Sequence, residues 1–181
     1  MRNPTHAAAG AVAALGLGAL AAVPTGWPEA LAGAISGLLP NADYGLDALR
    51  KCPVPALQRF AERNTEGGIT HSLPALAVAA LLGLAVWGAT GRPGMLPAVF
   101  AGVLSHILLD MFGKTGVQLW IPFSRSWIAF PPWERLRPPR GEIVEIAVFT
   151  SCTAVLAGLG VMELFPYVED LMGLLMAGGA R

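Results

Sequence analysis

The sequence predicts an all-α membrane protein. It should be a polytopic helical bundle of four long transmembrane helices plus one short or re-entrant helix, with two cytoplasmic loops, folded as one integral membrane domain over residues 1–181. Three observations predict it. Hydrophobic residues make up 54% of the chain and charged ones only 13%, and the mean hydropathy of +0.57 lies beyond that of an ordinary soluble globule. The apolar residues gather into runs close to the ~20 residues that a helix needs to cross a bilayer. Basic side chains collect in two of the segments between those runs.

The first run, THAAAGAVAALGLGALAAV (5–23), is rich in Ala and Gly, so neighbouring backbones can approach closely. Arg2, the apolar stretch and the small residues after it also have the form of a secretory signal peptide. The run is long for that role, and cleavage would discard His6. The next stretch, WPEALAGAISGLLP (27–40), is too short to span alone: ~13 helical residues measure ~20 Å against ~30 Å of hydrocarbon. Its GWP and LPN flanks add reach, and the expectation is that it returns the chain to the side where it began. SLPALAVAALLGLAVWGA (72–89) and GMLPAVFAGVLSHILLDMF (94–112) form a pair of long spans joined by a tight turn, and IVEIAVFTSCTAVLAGLGVMELF (143–165) is the last. The tail that follows, PYVEDLMGLLMAGGAR, reads as a short interfacial helix or a frayed end.

Residues 41–71 carry Arg50, Lys51, Arg59 and Arg63, and residues 113–142 carry Lys114, Arg125, Arg135, Arg137 and Arg140. The turn between the second and third long spans has only Arg92. The positive-inside rule therefore puts both long segments in the cytoplasm; with 27–40 returning the chain, the N-terminus is expected with them and the C-terminus outside. Trp120, Trp127 and Trp133 lie among Pro and Arg, the composition of a segment at headgroup level over 118–141. With 12 basic and 12 acidic side chains the formal charge is zero, and nothing argues for a nucleic-acid partner. Cys52 and Cys152 are too few for a disulfide framework and read as free thiols.

Against this background the ionisable residues inside apolar runs carry the chemistry. A carboxylate in hydrocarbon is unfavourable by several kcal/mol and persists where a proton, a partner charge or a metal offsets the cost. His106 and Asp110 are four residues apart, hence on one helical face. His71 opens the second long span at the same depth. If 27–40 returns the chain, His6, Asp43, His71, His106 and Asp110 meet at one cytoplasmic level. Histidine and carboxylate without thiolate suit a catalytic divalent metal, zinc foremost, rather than a structural site. Glu66 and Glu145 are the candidate general bases.

At these residues the chain resembles the YdjM-like family of bacterial inner-membrane proteins, described as membrane-bound metal-dependent hydrolases and also as LexA-binding. ITHSL (69–73) and SHILLDMFGKTGVQLWIPFS (105–124) look like the family's THS motif and its His-x-x-x-Asp helix. LLPNADYG (38–45) and PTHAAAG (4–10) look like its Leu-Pro-Asp-x-Asp element and N-terminal Thr-His. The resemblance marks His6, Asp43, His71, His106 and Asp110 as the polar site. Asn41 stands where the family has an acid, and Glu66-Gly67 where it usually has His-Arg. The expected function is hydrolysis of a membrane lipid or another ester or phosphoester at the cytoplasmic face of the bacterial inner membrane. The alternative is a non-enzymatic membrane regulator or scaffold that binds a protein partner through its cytoplasmic loops and uses the cluster only to hold helices together.

Overall fold

The structure is a computed structural model that describes residues 2–45, 50–63, 68–113, 115–133 and 143–178. Among these, six α-helices occur: α1 (Asn3–Leu20), α2 (Trp27–Ser36), α3 (Pro55–Arg63), α4 (Leu73–Thr90), α5 (Met95–Met111) and α6 (Ile143–Gly178). Two 3-10 turns, Leu39–Gly45 and Ile69–His71, precede α3 and α4. Prolines sit in the first turns of α1, α2 and α4, where the missing N–H has no intrahelical acceptor to lose. Gly91 ends α4 in the left-handed region and donates its N–H to Trp87 O at 2.7 Å.

The expected helices are present, but among the described residues only two of the four expected long spans are long and apolar enough to cross a membrane, and three further differences stand out. The stretch 27–40 is helical only to Ser36, after which the chain tightens into the 3-10 turn. The last helix does not give way after 165 to a separate interfacial helix or a frayed end; it continues through Pro166 to Gly178. The amphipathic α3 lies in a segment that reads as polar loop.

Two helices are long and apolar enough to cross a membrane, Leu73–Thr90 and Glu145–Glu163, with Met95–Met111 a shorter apolar helix. Only 11% and 6% of the two longer windows are buried within the protein, so these are not the core helices of a soluble fold. Their outward faces carry Val78, Leu81, Leu84, Ile146 and Val161, all half exposed or more. Such an exterior calls for an apolar solvent.

Packing around α5 organises the remainder. Leu76 and Ala79 of α4 meet Val99, Val103 and Ile107 of α5, with Val117 beneath them. On its other side α5 meets α2 through glycine. A Cβ on Gly102 would overlap Ser36 Oγ and the Gly33 carbonyl oxygen, and one on Gly10 of α1 would overlap the same carbonyl. Three backbones thus share one narrow seam, the small-residue packing that apolar bundles use.

This seam sets direction. Gly10 opposes Gly33, and the His6 carbonyl lies against Gly37, so α2 runs antiparallel to α1. At the other end of α2, Glu29 accepts from Arg92 Nε at 2.7 Å, from Arg92 Nη2 at 3.0 Å and from Gly26 N–H at 2.9 Å. The Arg92 guanidinium holds the Glu29 carboxyl below its usual range, against the burial that pushes it up. The start of α2 is therefore fixed to the α4–α5 turn. Its end returns the chain to the level of His6, as its length and flanks predicted.

Candidate metal centre

His106 and Asp110 occupy the last turns of α5, one turn apart. His71 closes the 3-10 turn immediately before α4, and His6 lies in the first turn of α1. Segments separated by up to 104 residues of sequence thus supply one cluster, because α1, α4 and α5 all have an end at this level.

The distances are short. His71 Nε2 is 3.1 Å from His106 Nε2. Asp110 Oδ2 lies 3.3 Å from His71 Nε2 and 3.2 Å from His106 Nε2, and Oδ1 lies 3.3 Å from His6 Nε2. The rings of His6 and His106 stack with centroids 3.6 Å apart. All three imidazoles are buried, whereas the Asp110 side chain is 22% exposed and forms the accessible edge of the group.

The protonation pattern follows from the neighbours. His106 Nδ1 is 2.6 Å from the Gly37 carbonyl oxygen. A carbonyl can only accept, so Nδ1 carries the proton and, in the neutral ring, the Nε2 lone pair faces the cluster. His71 Nδ1 shares a 2.9 Å hydrogen bond with the Thr70 hydroxyl, which can fix that ring in the same way. Although His6 Nε2 is close to Asp110, neither nitrogen of this fully buried ring makes a hydrogen bond of acceptable geometry. Nitrogen lone pairs and a carboxylate crowded together suit a cation among them.

A proton between two rings could serve one pair, and the four short separations also suit ligands around one ion. Ligands ~2.0–2.1 Å from a tetrahedral metal lie ~3.3 Å from one another. The separations here run from 3.1 to 3.3 Å. His6, His106 and Asp110 offer ligand atoms within 4.8 Å of one another, and His71 Nε2 stands beside that group, against His106 Nε2 and Asp110 Oδ2. Three imidazoles with one carboxylate and no thiolate are donors that suit a divalent transition metal.

The other predicted residues stand differently. Asp43 belongs to the 3-10 turn Leu39–Gly45, and its side chain lies outside the described residues, as does Glu66 altogether. That turn is held near the start of α1 by Asn41 Nδ2, which donates to Asn3 Oδ1 at 2.6 Å. Glu145 is buried, and its Oε1 accepts the Arg2 backbone N–H and, at 3.3 Å, the Thr5 hydroxyl. An anion at a helix N-terminus satisfies donors that lack intrahelical partners, and Thr5 is the residue before His6. Three contributors were given no role in the sequence reading: the Gly37 carbonyl, and Thr70 and Thr5, which appear there only as parts of motifs. Thr70 and Thr5 each precede a cluster histidine, which is the signal that could have found them; a backbone carbonyl leaves none.

The segment 115–133 lies at the same end. Val117 and Ile128 exchange N–H···O bonds of 2.9 and 2.8 Å, Leu73 N–H reaches Leu119 O, and Phe130 N–H reaches Met111 O. Gly116 takes φ +71°, and a Cβ there would overlap the Ile128 carbonyl. The strap so formed exposes Trp120, Phe123, Trp127, Phe130 and Trp133. They include the tryptophans expected from the sequence at headgroup level; the remainder of 118–141 beyond Trp133 lies outside the described residues.

The family model of the YdjM inner membrane protein matches residues 1–167. The chain belongs to that family. The match takes in every member of the cluster and Glu145, so the polar site of this YdjM-family protein falls wholly within the family region. No curated protein and no solved structure matches the chain.

Proposed function

We propose that this YdjM-family protein is a membrane-bound metal-dependent hydrolase acting on an ester or phosphoester, a lipid foremost, at the cytoplasmic face of the bacterial inner membrane. The convergence of three imidazole nitrogens on Asp110 at tetrahedral-edge distances carries this reading. In the proposed topology α1, α4, α5 and α6 span the bilayer and α2 crosses part of it. The cluster then lies on the side of Arg50, Lys51, Arg59 and Arg125, the cytoplasmic side by charge.

Three ligands drawn from His6, His71, His106 and Asp110 would hold the ion and leave a position open for water, with Asp43 a candidate further ligand. A divalent metal, zinc best suited to these donors, supplies Lewis acidity and lowers the pKa of a bound water toward neutrality. The chain's own groups prepare the site. Gly37 and Thr70 orient the rings of His106 and His71. Glu145 anchors the start of α1 and so positions His6. Asp110, at the accessible edge, marks where a substrate enters, and the aromatic strap beside it suits an amphipathic one. Glu66 is retained as the general-base candidate, while the contacts of Glu145 favour a positioning role.

Metal analysis of purified protein tests the proposal. About one divalent ion per chain is expected, lost in His71→Ala and His106→Ala together with hydrolysis of ester or phosphoester lipids. Full activity in metal-free protein would contradict it. A fall in thermal stability of His106→Ala with neither bound metal nor turnover in the wild type would favour the scaffold instead.

A further inference from the structure

An apolar cleft adjoins the centre. Its volume is about 300 Å³, and it lies between α4 and the 3-10 turn that follows α2. The buried side chains of Ala79 and Val103 form its floor, and Leu39, Val78 and Leu82 form its exposed rims. The cleft exists because α4 places alanine at 75 and 79, one turn apart, where larger residues would fill the space. Thr70 is the one lining side chain with a polar group, and its hydroxyl is the hydrogen-bond partner of His71 Nδ1.

Three features select the occupant. The rim is carried by a helix whose apolar window is only 11% buried, so the mouth opens onto whatever surrounds the spanning helices. A polar ligand would lose its hydration along the cleft and find no partner before Thr70. The third feature is extent: from Pro74 to Leu82 the helix rises ~12 Å, and the apolar lining continues over that length, as a run of acyl methylenes requires.

We infer that the cleft is an acyl-chain subsite: one chain of a membrane lipid lies along α4 between Leu39 and Leu82, with the polar linkage of that lipid brought to Thr70 and the His71 side of the cluster. The inference rests on the proposed hydrolase for what happens to that linkage, and it makes the substrate class a lipid rather than a cytosolic ester.

Photolabelling of the full chain tests it. The protein is reconstituted into phosphatidylethanolamine–phosphatidylglycerol vesicles doped with a phospholipid bearing a diazirine near the end of one acyl chain, and labelled peptides are mapped. Labelling is expected to concentrate on Leu39, Ala79, Leu82 and Val103 over Leu81 and Leu84, which are exposed elsewhere on α4. Ala79→Phe, which fills the floor, should remove the label from Val103 and leave Leu81 labelled and bound metal unchanged. Should that variant fail to fold, Ala75→Leu narrows the same cleft and is read identically. Equal labelling of all exposed α4 positions, unaffected by the fillings, would overturn the subsite, as would chain-to-chain crosslinks through Val78 and Leu82. Cleft labelling in a wild type that binds no metal would support the lipid site and refute only the hydrolase; bound metal with uniform labelling would do the reverse.

Discussion

Replacing Gly102 with alanine adds one methyl where α5 meets α2, and the consequences can be followed to the cluster. The new Cβ would sit 2.9 Å from Gly37 N and closer still to the Gly33 carbonyl oxygen and Ser36 Oγ. Comfortable contact begins near ~3.5 Å, so the end of α2 must retreat by at least ~0.6 Å. The hydrogen bond from His106 Nδ1 to Gly37 O is 2.6 Å, and such a retreat carries it to the outer range of a useful bond. Overpacking of this kind destabilises by ~1–3 kcal/mol, and a weakened buried hydrogen bond adds ~1 kcal/mol, about 2–4 kcal/mol together. Loss of an orienting partner lowers metal affinity by about 10- to 100-fold. Denaturation in micelles and a competitive chelator titration measure the two effects. Gly16, with open space where a Cβ would go, is the control; Gly16→Ala should leave metal affinity alone and stabilise α1 by ~0.5–1 kcal/mol. Gly102→Ala with wild-type stability and wild-type affinity would refute the link between seam and site.

The Glu29–Arg92 pair contributes stability in a defined pH window. Because the folded-state pKa of Glu29 is lowered, its contribution is present above the unfolded-state value and fades as pH falls through the folded one; Glu29→Gln should flatten the acid limb of a melting-temperature profile, and an unchanged limb would show that the pair is idle. Arg92→Ala should lower the melting temperature, with partial recovery in Arg92→Ala/Glu29→Gln, since the second change removes the unpaired carboxylate. Glu145→Ala should cost about 2 kcal/mol by leaving the first donors of α1 unserved and weaken metal binding, while Glu145→Gln, which keeps an acceptor, should retain most of both; equal collapse in the two variants would instead point to a role for the charge.

The sequence announced the two-residue core of the site, because His106 and Asp110 are conspicuous in an apolar helix and their spacing fixes a common face. His71 followed from its place at the head of α4. His6 was legible only through a length argument about 27–40, and the outcome turned on the glycines that let α2 nest between α1 and α5. The Gly37 carbonyl was beyond reach, since every residue carries that group and only the fold decides which one meets a histidine. Helix α3 was missed for a related reason: its pattern is amphipathic but short and charged, so composition alone reads it as loop. The continuation of α6 through Pro166 shows the converse, a local breaker that a long helix carries through.

The central claim is that side chains from α1, the turn before α4 and the end of α5 bind one cation. X-ray absorption spectroscopy at the edge of whatever divalent metal the purified protein carries tests it most directly. The account predicts nitrogen and oxygen neighbours at ~2.0–2.1 Å with the multiple-scattering signature of imidazole, reduced by one imidazole in His6→Ala. Metal coordinated by sulfur or by water alone, or a spectrum identical in wild type and His6→Ala, would contradict it.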